Sequence, residues 1–292
     1  MIVLRAAAMG MCFGVRDALA LVQSIGNPND VTIYGELVHN EEVNRNLAAR
    51  GFHTLTEAAR RNAVQTPSVL ITAHGISDRE RRALELSGKS LIDTTCPLVK
   101  RVHETAQRLH TEGWFILVAG KANHVEVLGI TGDLERYAVI ESEDNLPPMD
   151  APRIAIVCQT TLQPERAKNI FSAVQAAHPQ SDVRLFDTIC RPTRERQEAA
   201  LSLLKQVDAL VVVGGRHSNN TLHLVKLAAD RNIPVRHIQS ATELDASWFA
   251  GFQRIGLTAG TSTPEAVIES VYQTLQTFNT APKPATQQFQ TH

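Results

Sequence analysis

The chain has 292 residues, of which 43% are hydrophobic, and its formal net charge at pH 7 is −1. This balance excludes the concentrated positive charge of a nucleic-acid-binding surface, and no apolar run approaches the twenty residues of a membrane span. The start, MIVLRAAAMGMCFG, runs directly into a predicted strand–helix unit, so we do not interpret it as a signal peptide. Four cysteines are too few for a disulfide scaffold; they indicate metal or catalytic ligands in a reducing, cytoplasmic environment.

Strand-like and helix-like segments alternate along the chain, which predicts parallel sheets with crossover helices. In the first third, IVLRAAAM, VTIYG and SVLITA precede helices predicted at 14–25, 41–50 and 78–86. In the second third, SLIDT, FILVAG and RIAIVC precede helices predicted at 98–112, near Val125 and at 165–177. In the last third, VRLFDT, LVVVGG and RIGLTAG precede helices predicted at 194–207, 221–230 and 264–278.

Three cysteines occupy the same place in three copies of this pattern. Cys12, Cys96 and Cys190 each follow a strand-like run and open a helical stretch, and the last two share the letters DTTC and DTIC. Repetition at a long, fixed period indicates repeated supersecondary units. We therefore predict an α/β protein of three similar small domains with mainly parallel sheets, arranged with pseudo-threefold symmetry. Their predicted bounds are 1–95, 96–187 and 188–278, followed by a flexible tail at 279–292.

Polar residues recur at the ends of the other strands of each copy. His39, His124 and Ser218 each stand four residues after a strand-ending glycine, and Asn219 and Asn220 follow Ser218. The third strands end near His74, Thr160 and Ser262, the last being offset by about two positions. Ligands bind at the carboxyl ends of parallel strands, and helix N-termini there favour anions. The sequence therefore predicts a common central cavity that binds a phosphate group.

Three cysteines in register predict a metal centre at this cavity. Structural zinc sites use close pairs such as C-x-x-C, and none occurs here. One ligand per domain fits an iron–sulfur cluster better, and a cubane held by three cysteines leaves one iron open. Glu126, two residues after His124, offers a proton donor. Cys158 lies inside the strand RIAIVC with no counterpart, so we interpret it as a core residue.

The motifs together resemble the 4-hydroxy-3-methylbut-2-enyl diphosphate reductase family, which acts last in the methylerythritol phosphate route to isoprenoids. The similarity spans nearly the whole chain. It is carried by MGMCFGVRDAL, YGELVHNEEV, ITAHGIS, DTTCPLVKRVH, NHVEVLGI, QTTL, DTICRPTRERQEA, GGRHSNNT and LTAGTSTPE. Three features differ from the most common motif sequences of the family: the RPTRE segment, the GMCFGVRD start and Asn219, where many relatives have serine.

The resemblance implies reductive dehydroxylation of (E)-4-hydroxy-3-methylbut-2-enyl diphosphate to isopentenyl and dimethylallyl diphosphate. It implies a [4Fe-4S] cluster on Cys12, Cys96 and Cys190, and electrons from a donor such as ferredoxin or flavodoxin. Glu126 corresponds to the proton donor and Thr160 to a substrate-hydroxyl contact. The diphosphate-binding positions correspond to His39, His74, His124, Ser218, Asn220 and Ser262, with Asn219 lining the site. The residues alone leave two alternatives open, a non-redox iron–sulfur hydro-lyase and a cluster-bearing sensor.

The register of the repeats predicts which cysteines hold the cluster. Cys158→Ala should keep both cluster and activity, because Cys158 stands outside the register, whereas alanine at Cys12, Cys96 or Cys190 should abolish both. Iron and sulfide analysis of the four purified variants checks this. Loss of the cluster in Cys158→Ala would contradict the three-ligand model.

Overall fold

The computed structural model describes residues 1–60 and 64–278, and it contains three four-stranded sheets with the same strand order. The predicted tail at 279–292 lies outside the described residues. In spatial order the strands of the first sheet are β3 (His53–Thr54), β2 (Val31–Tyr34), β4 (Ser68–Ile71) and β5 (Ser90–Asp93). Those of the second are β7 (Tyr137–Ile140), β6 (Phe115–Ala119), β8 (Arg153–Cys158) and β9 (Asp182–Phe186). Those of the third are β11 (Val235–Ile238), β10 (Ala209–Val213), β12 (Arg254–Ala259) and β1 (Ile2–Arg5).

The strand pairs in these sheets are parallel, so helices cross over between them. The α-helices are α1 (Phe13–Gln23), α2 (Glu41–Ala49), α3 (Asp78–Leu86), α4 (Pro97–Thr111), α5 (Val125–Thr131), α6 (Pro164–Ala177), α7 (Arg191–Leu204), α8 (Asn219–Ala229) and α9 (Glu265–Thr277). The predicted three-domain α/β fold is confirmed. The largest difference in a helix is α7, which starts three residues earlier than predicted because Pro192 suits a first helical turn. No helix in the described part of the chain is long and apolar enough to cross a bilayer.

The strand that precedes each cysteine closes the sheet of the preceding domain. β5 leads to Cys96 from the edge of the first sheet, and β9 leads to Cys190 from the edge of the second. By the same rule β1, which leads to Cys12, pairs with β12 in the third sheet. The prediction that residues 1–95 all belong to the first domain is therefore wrong for this strand. A local pattern cannot show that the first strand pairs with one about 250 residues away.

Each sheet also has a fourth strand that the sequence did not reveal. These strands, β3, β7 and β11, lie at the opposite edge from the cysteine strand. They are short, from two to four residues, and β3 and β11 lack the apolar run that marks the inner strands, whereas β7 (YAVI) is apolar but only four residues long. The inner strands are buried on both faces, as crossover helices require. In β8, for example, the side chains from Ile154 to Cys158 are inaccessible to solvent, which confirms that Cys158 is a core residue.

A buried arginine fixes the loop in front of Cys12. Arg196, on α7, donates through Nε to the Gly10 carbonyl at 2.9 Å and through Nη2 to the Met11 carbonyl at 3.1 Å. Its third nitrogen donates to the Pro192 carbonyl at 3.0 Å. These charged hydrogen bonds tie the loop of Cys12 to the helix that begins after Cys190. One side chain thus links the segments that carry two of the three repeat cysteines, and the repeat pattern does not single it out.

Candidate active site

The twelve residues singled out in the sequence line one cavity where the three domains meet. This central cavity lies at the carboxyl ends of the strands, as expected for parallel sheets. The predicted members of its lining are Cys12, His39, His74, Cys96, His124, Glu126, Thr160, Cys190, Ser218, Asn219, Asn220 and Ser262. Gly14, Val15, Val38, Ala73, Leu98, Val99, Thr161, Thr193 and Thr261 complete it. The structure therefore brings together all of the predicted site residues.

The three cysteines are the N-cap residues of three helices. Cys12 precedes α1, Cys96 precedes α4 and Cys190 precedes α7, and none of their thiols caps its own helix. The positive end of each helix dipole therefore faces the thiols, which favours negative charge there. Gly14 has no side chain because a Cβ would lie 2.6 Å from the Cys96 sulfur. The first turn of α1 thus packs directly against the second cysteine.

The donor set fits a metal cluster better than a single ion. Among the described residues, no three His, Cys, Asp or Glu side chains converge as a site for one metal ion. Three thiols, each on a separate helix, can instead each bind a different iron of one cluster. Burial raises the pKa of Cys190 to about 11 and also raises the pKa of Cys96. As thiolates, these two partly buried sulfurs would need a positively charged partner, which iron would supply.

Three histidines from two domains pack together at the centre of the cavity. The His39 and His74 rings are stacked with centroids 4.3 Å apart, and His124 meets both edge-on at 5.0 and 5.7 Å. Burial lowers the pKa of His124 to about 3 and lowers the pKa of His74 well below its usual value. Both rings are therefore neutral at pH 7. They can donate and accept hydrogen bonds without adding charge to the cavity.

The hydrogen bonds of these rings fix their tautomers. His124 Nδ1 accepts from the Glu126 backbone N–H at 3.1 Å, so its proton is on Nε2. That Nε2 lies 3.2 Å from His39 Nε2, which must therefore accept. His39 then carries its proton on Nδ1 and donates it to Glu36 at 2.9 Å. Glu36 was missed in the sequence; its one signal is its position three residues before His39, in GELVH.

Glu126 is the carboxyl group of the cavity, and it is 2% exposed. Burial raises its pKa to about 7, although hydrogen bonds from the Thr160 backbone and side chain partly oppose this. The Thr160 N–H donates to Oε1 at 2.6 Å and the Thr160 hydroxyl donates to Oε2 at 2.9 Å. Glu126 and Thr160 come from different strand ends of one domain, yet they form a single unit. This pairing places a protonatable carboxyl group beside a hydroxyl at the cavity wall.

Several polar side chains that line the cavity, from all three domains, have atoms with no hydrogen-bond partner among the described residues. Neither Asn220 side-chain atom has a hydrogen bond among the described residues, although Asn220 is 1% exposed; the Thr161 hydroxyl and His74 Nδ1 are likewise unpaired. Buried polar atoms rarely lack partners, so these atoms indicate a polar ligand. Ser218 caps α8, and Ser262 donates to the His39 carbonyl at 3.0 Å. Lys121 and Arg216, which stand beside these positions in the sequence, do not line the cavity.

The repeat is less regular in space than in sequence. His124 and Ser218 are N-cap residues, whereas in the first domain Asn40 is the N-cap and His39 precedes it.

The cavity measures about 90 Å³, below the roughly 300–1,000 Å³ of typical small-molecule sites. The three imidazoles take up much of its centre. Binding a ligand as large as a diphosphate therefore requires these side chains to move apart.

Sequence comparison identifies proteins similar to this chain over nearly its whole length. A profile of the family described as LytB protein matches residues 3–276. The 4-hydroxy-3-methylbut-2-enyl diphosphate reductase of Caldanaerobacter subterraneus subsp. tengcongensis is 34% identical over 274 residues, covering 91% of this chain and 94% of that protein. The protein of the same name from Aquifex aeolicus is 35% identical over 275 residues, covering 91% and 93%.

Solved structures agree with this relationship. The E-1-hydroxy-2-methyl-but-2-enyl-4-diphosphate reductase of Plasmodium falciparum superposes with a TM-score of 0.84 at 27% identity, covering 94% of this chain and 88% of that chain. A structure of (E)-4-hydroxy-3-methyl-but-2-enyl diphosphate reductase, the terminal enzyme of the non-mevalonate pathway, gives a TM-score of 0.65 at 32% identity and covers 95% and 100%. The resemblance read from the motifs is confirmed: the chain belongs to the LytB family of 4-hydroxy-3-methylbut-2-enyl diphosphate reductases.

Proposed function

We propose that this enzyme converts (E)-4-hydroxy-3-methylbut-2-enyl diphosphate to isopentenyl and dimethylallyl diphosphate by reductive dehydroxylation. Each turnover takes two electrons and two protons and releases the substrate hydroxyl as water. Membership of the LytB family supports the reaction. The observation that carries the assignment to this chain is the meeting of three helix-capping thiols with the Glu126–Thr160 pair in one cavity. The electrons come from a small protein such as a ferredoxin or a flavodoxin, in the cytoplasm.

Cys12, Cys96 and Cys190 would hold a [4Fe-4S] cluster, with no fourth cysteine in the cavity lining. The cluster would supply the electrons and, at the iron without a cysteine ligand, a Lewis acid for the substrate hydroxyl. The protein contributes three helix N-termini, which stabilise the negative charge of the thiolates. Arg196 adds a buried positive charge behind Cys12 and Cys190, where it holds the Cys12 loop in place.

The polar ring would bind the diphosphate with neutral donors. His74, His124 and Asn220 would offer N–H groups, and Ser218 and Ser262 would offer hydroxyls. The N-termini of α5 and α8 add the positive ends of their dipoles. Since no lysine or arginine lines the cavity within the described residues, the anion brings in the dominant charge. That charge raises the cost of a second carboxylate nearby and so favours the protonated form of Glu126.

Glu126 would supply the proton that lets the hydroxyl leave as water. Its pKa of about 7 keeps a large fraction protonated at neutral pH, before any effect of the bound anion. Thr160 holds the carboxyl group by two hydrogen bonds, and its hydroxyl can relay between carboxyl and substrate. Short, fixed contacts of this kind are what a general acid needs.

Anaerobic purification followed by iron and sulfide analysis and turnover with a chemical reductant tests the proposed function. We expect about four irons and four sulfides per chain, for a cubane cluster, and formation of both products only when reductant is present. Turnover without reductant would favour the hydro-lyase. A protein that holds its cluster but converts no substrate under any condition would favour the sensor.

Substitution of Ser262 tests the anion site. Ser262→Ala removes one neutral hydrogen bond, worth about 0.5–1.5 kcal/mol, and should raise KM by roughly 3–10-fold with a smaller change in kcat. Steady-state kinetics with saturating reductant measures both constants. A collapse of kcat at unchanged KM would instead place Ser262 in the chemical step and contradict its assignment to binding.

Substitution of Glu126 tests the proton donor. Glu126→Gln keeps the size and most hydrogen bonds of the side chain but cannot supply a proton, so kcat should fall by roughly 100-fold or more with the cluster retained. In the wild type, the acid form of the free enzyme is lost as pH rises through its pKa, so kcat/KM should decline above about pH 7. The decline in kcat should come at higher pH, because the bound diphosphate raises that pKa further. Glu135→Gln, an exposed carboxyl in the same domain, is the matched control and should change neither quantity. Near-normal turnover of Glu126→Gln would show that another group donates the proton.

A further inference from the structure

A second depression reaches Cys190 from outside the central cavity. This outer groove has a volume of about 190 Å³, and its lining includes Leu98, Arg101, Asp187, Cys190, Arg191 and Arg194. Leu98 and Cys190 line both the outer groove and the central cavity. Cys190 therefore stands in the wall between the two. A molecule seated in the outer groove would be separated from the central cavity by little more than this side chain.

The outer groove is positively charged in a chain whose net charge is −1. Its lining contains three arginines and one aspartate, which leaves a charge of +2. Arg194 pairs with Asp187, whereas Arg101 is exposed. Arg191 contacts Glu195 at 2.6 Å, yet 87% of its side chain is exposed. At the rim of the groove, Arg101 has no acidic partner among the described residues, and the exposed Arg191 can exchange Glu195 for an acidic group of a docked protein.

The basic residues follow the register of the cysteines. Arg16, Lys100 and Arg194 each stand four residues after a repeat cysteine, one turn further along α1, α4 and α7. The residue directly after each cysteine is exposed in all three domains: Phe13, Pro97 and Arg191. Arg191 and Arg194 belong to the RPTRE segment that follows Cys190. The helix starts around the cysteines are thus open to solvent, although Lys100 and Arg194 are each paired with an aspartate, Asp93 and Asp187.

We propose that the outer groove is the docking surface for a small acidic electron-carrier protein, with Arg101 and Arg191 as its charged contacts and Cys190 as the point of electron entry. The inference rests on the proposed function, because it needs a cluster on Cys190. Opposite charges steer such partners together and set their orientation. The substrate side of the central cavity stays free, because the carrier approaches through a separate opening.

The electron balance requires two encounters per turnover. Each encounter oxidises a carrier iron by one electron, and the two electrons arrive through the Cys190 side of the site. The two protons arrive from the Glu126 side and from solvent, and one water leaves with the substrate oxygen. Separate entry of electrons and substrate lets a second carrier dock while substrate remains bound.

The test uses cluster-loaded enzyme, an acidic [2Fe-2S] ferredoxin and, separately, reduced methyl viologen. The double variant Arg101→Glu/Arg191→Glu should weaken ferredoxin binding, measured by calorimetric titration, about tenfold at low salt, and should lower kcat/KM for ferredoxin similarly. Its turnover with methyl viologen should stay within twofold of the wild type, because the small dye needs no docking surface. Arg101→Lys/Arg191→Lys, which keeps the charges, should retain most of the ferredoxin affinity.

A charge-matched control is Arg79→Glu/Arg82→Glu, two exposed arginines on α3, which should leave ferredoxin binding unchanged. Equal affinity and kcat/KM in the wild type and the Arg101→Glu/Arg191→Glu variant would overturn the docking surface. An equal loss of turnover with both reductants would also overturn it, since the arginines would then support the site itself. Failure of the proposed function is separate: the wild type would not turn over with methyl viologen, while the binding titration would still decide the docking surface.

Discussion

The central constraint on this molecule is that three helices must begin at the same point. Each starts at a cysteine that follows the edge strand of the preceding domain, so the site exists only where all three sheets meet. Two of these junctions join neighbouring segments of the chain. The third requires the pairing of β1 with β12, which joins the two ends of the described chain. Arg196 reinforces this closure by binding the loop that follows β1.

This closure explains the division between what the sequence predicted and what it did not. The cysteine register and the strand-end positions of His39, His124 and Ser218 are local features, and the structure places all of them at the cavity. The sheet that receives β1 depends on a contact across the whole chain, which periodicity cannot detect. The contacts of Arg196 with the Gly10 and Met11 carbonyls depend on three-dimensional approach in the same way. In the sequence, Arg196 resembles any arginine on a surface helix.

The polar side chains of the cavity are buried, and none of them is a lysine or arginine within the described residues. A buried lysine or arginine costs several kcal/mol unless it is paired, whereas a neutral imidazole or amide needs only hydrogen bonds. The cavity therefore uses His74, His124 and Asn220, and keeps Arg196 outside its lining, satisfied by carbonyl groups. The same low polarity raises the pKa of Glu126 to about 7. One environment thus suits both the proposed anion site and the proposed acid, which is still partly protonated near pH 7.

The small volume of the cavity follows from the close packing of its three histidine rings. In the described arrangement, His39 and His124 share a hydrogen bond, His39 stacks on His74, and His124 meets His74 edge-on. In the proposed function, a diphosphate oxygen would replace His39 as the acceptor of the His124 Nε2 proton, so that bond would be exchanged rather than lost. The unpaired atoms of Asn220 and His74 gain partners at the same time. On the proposed function, opening the imidazole cluster would therefore cost few hydrogen bonds, and the newly paired atoms would favour the open form when the diphosphate binds.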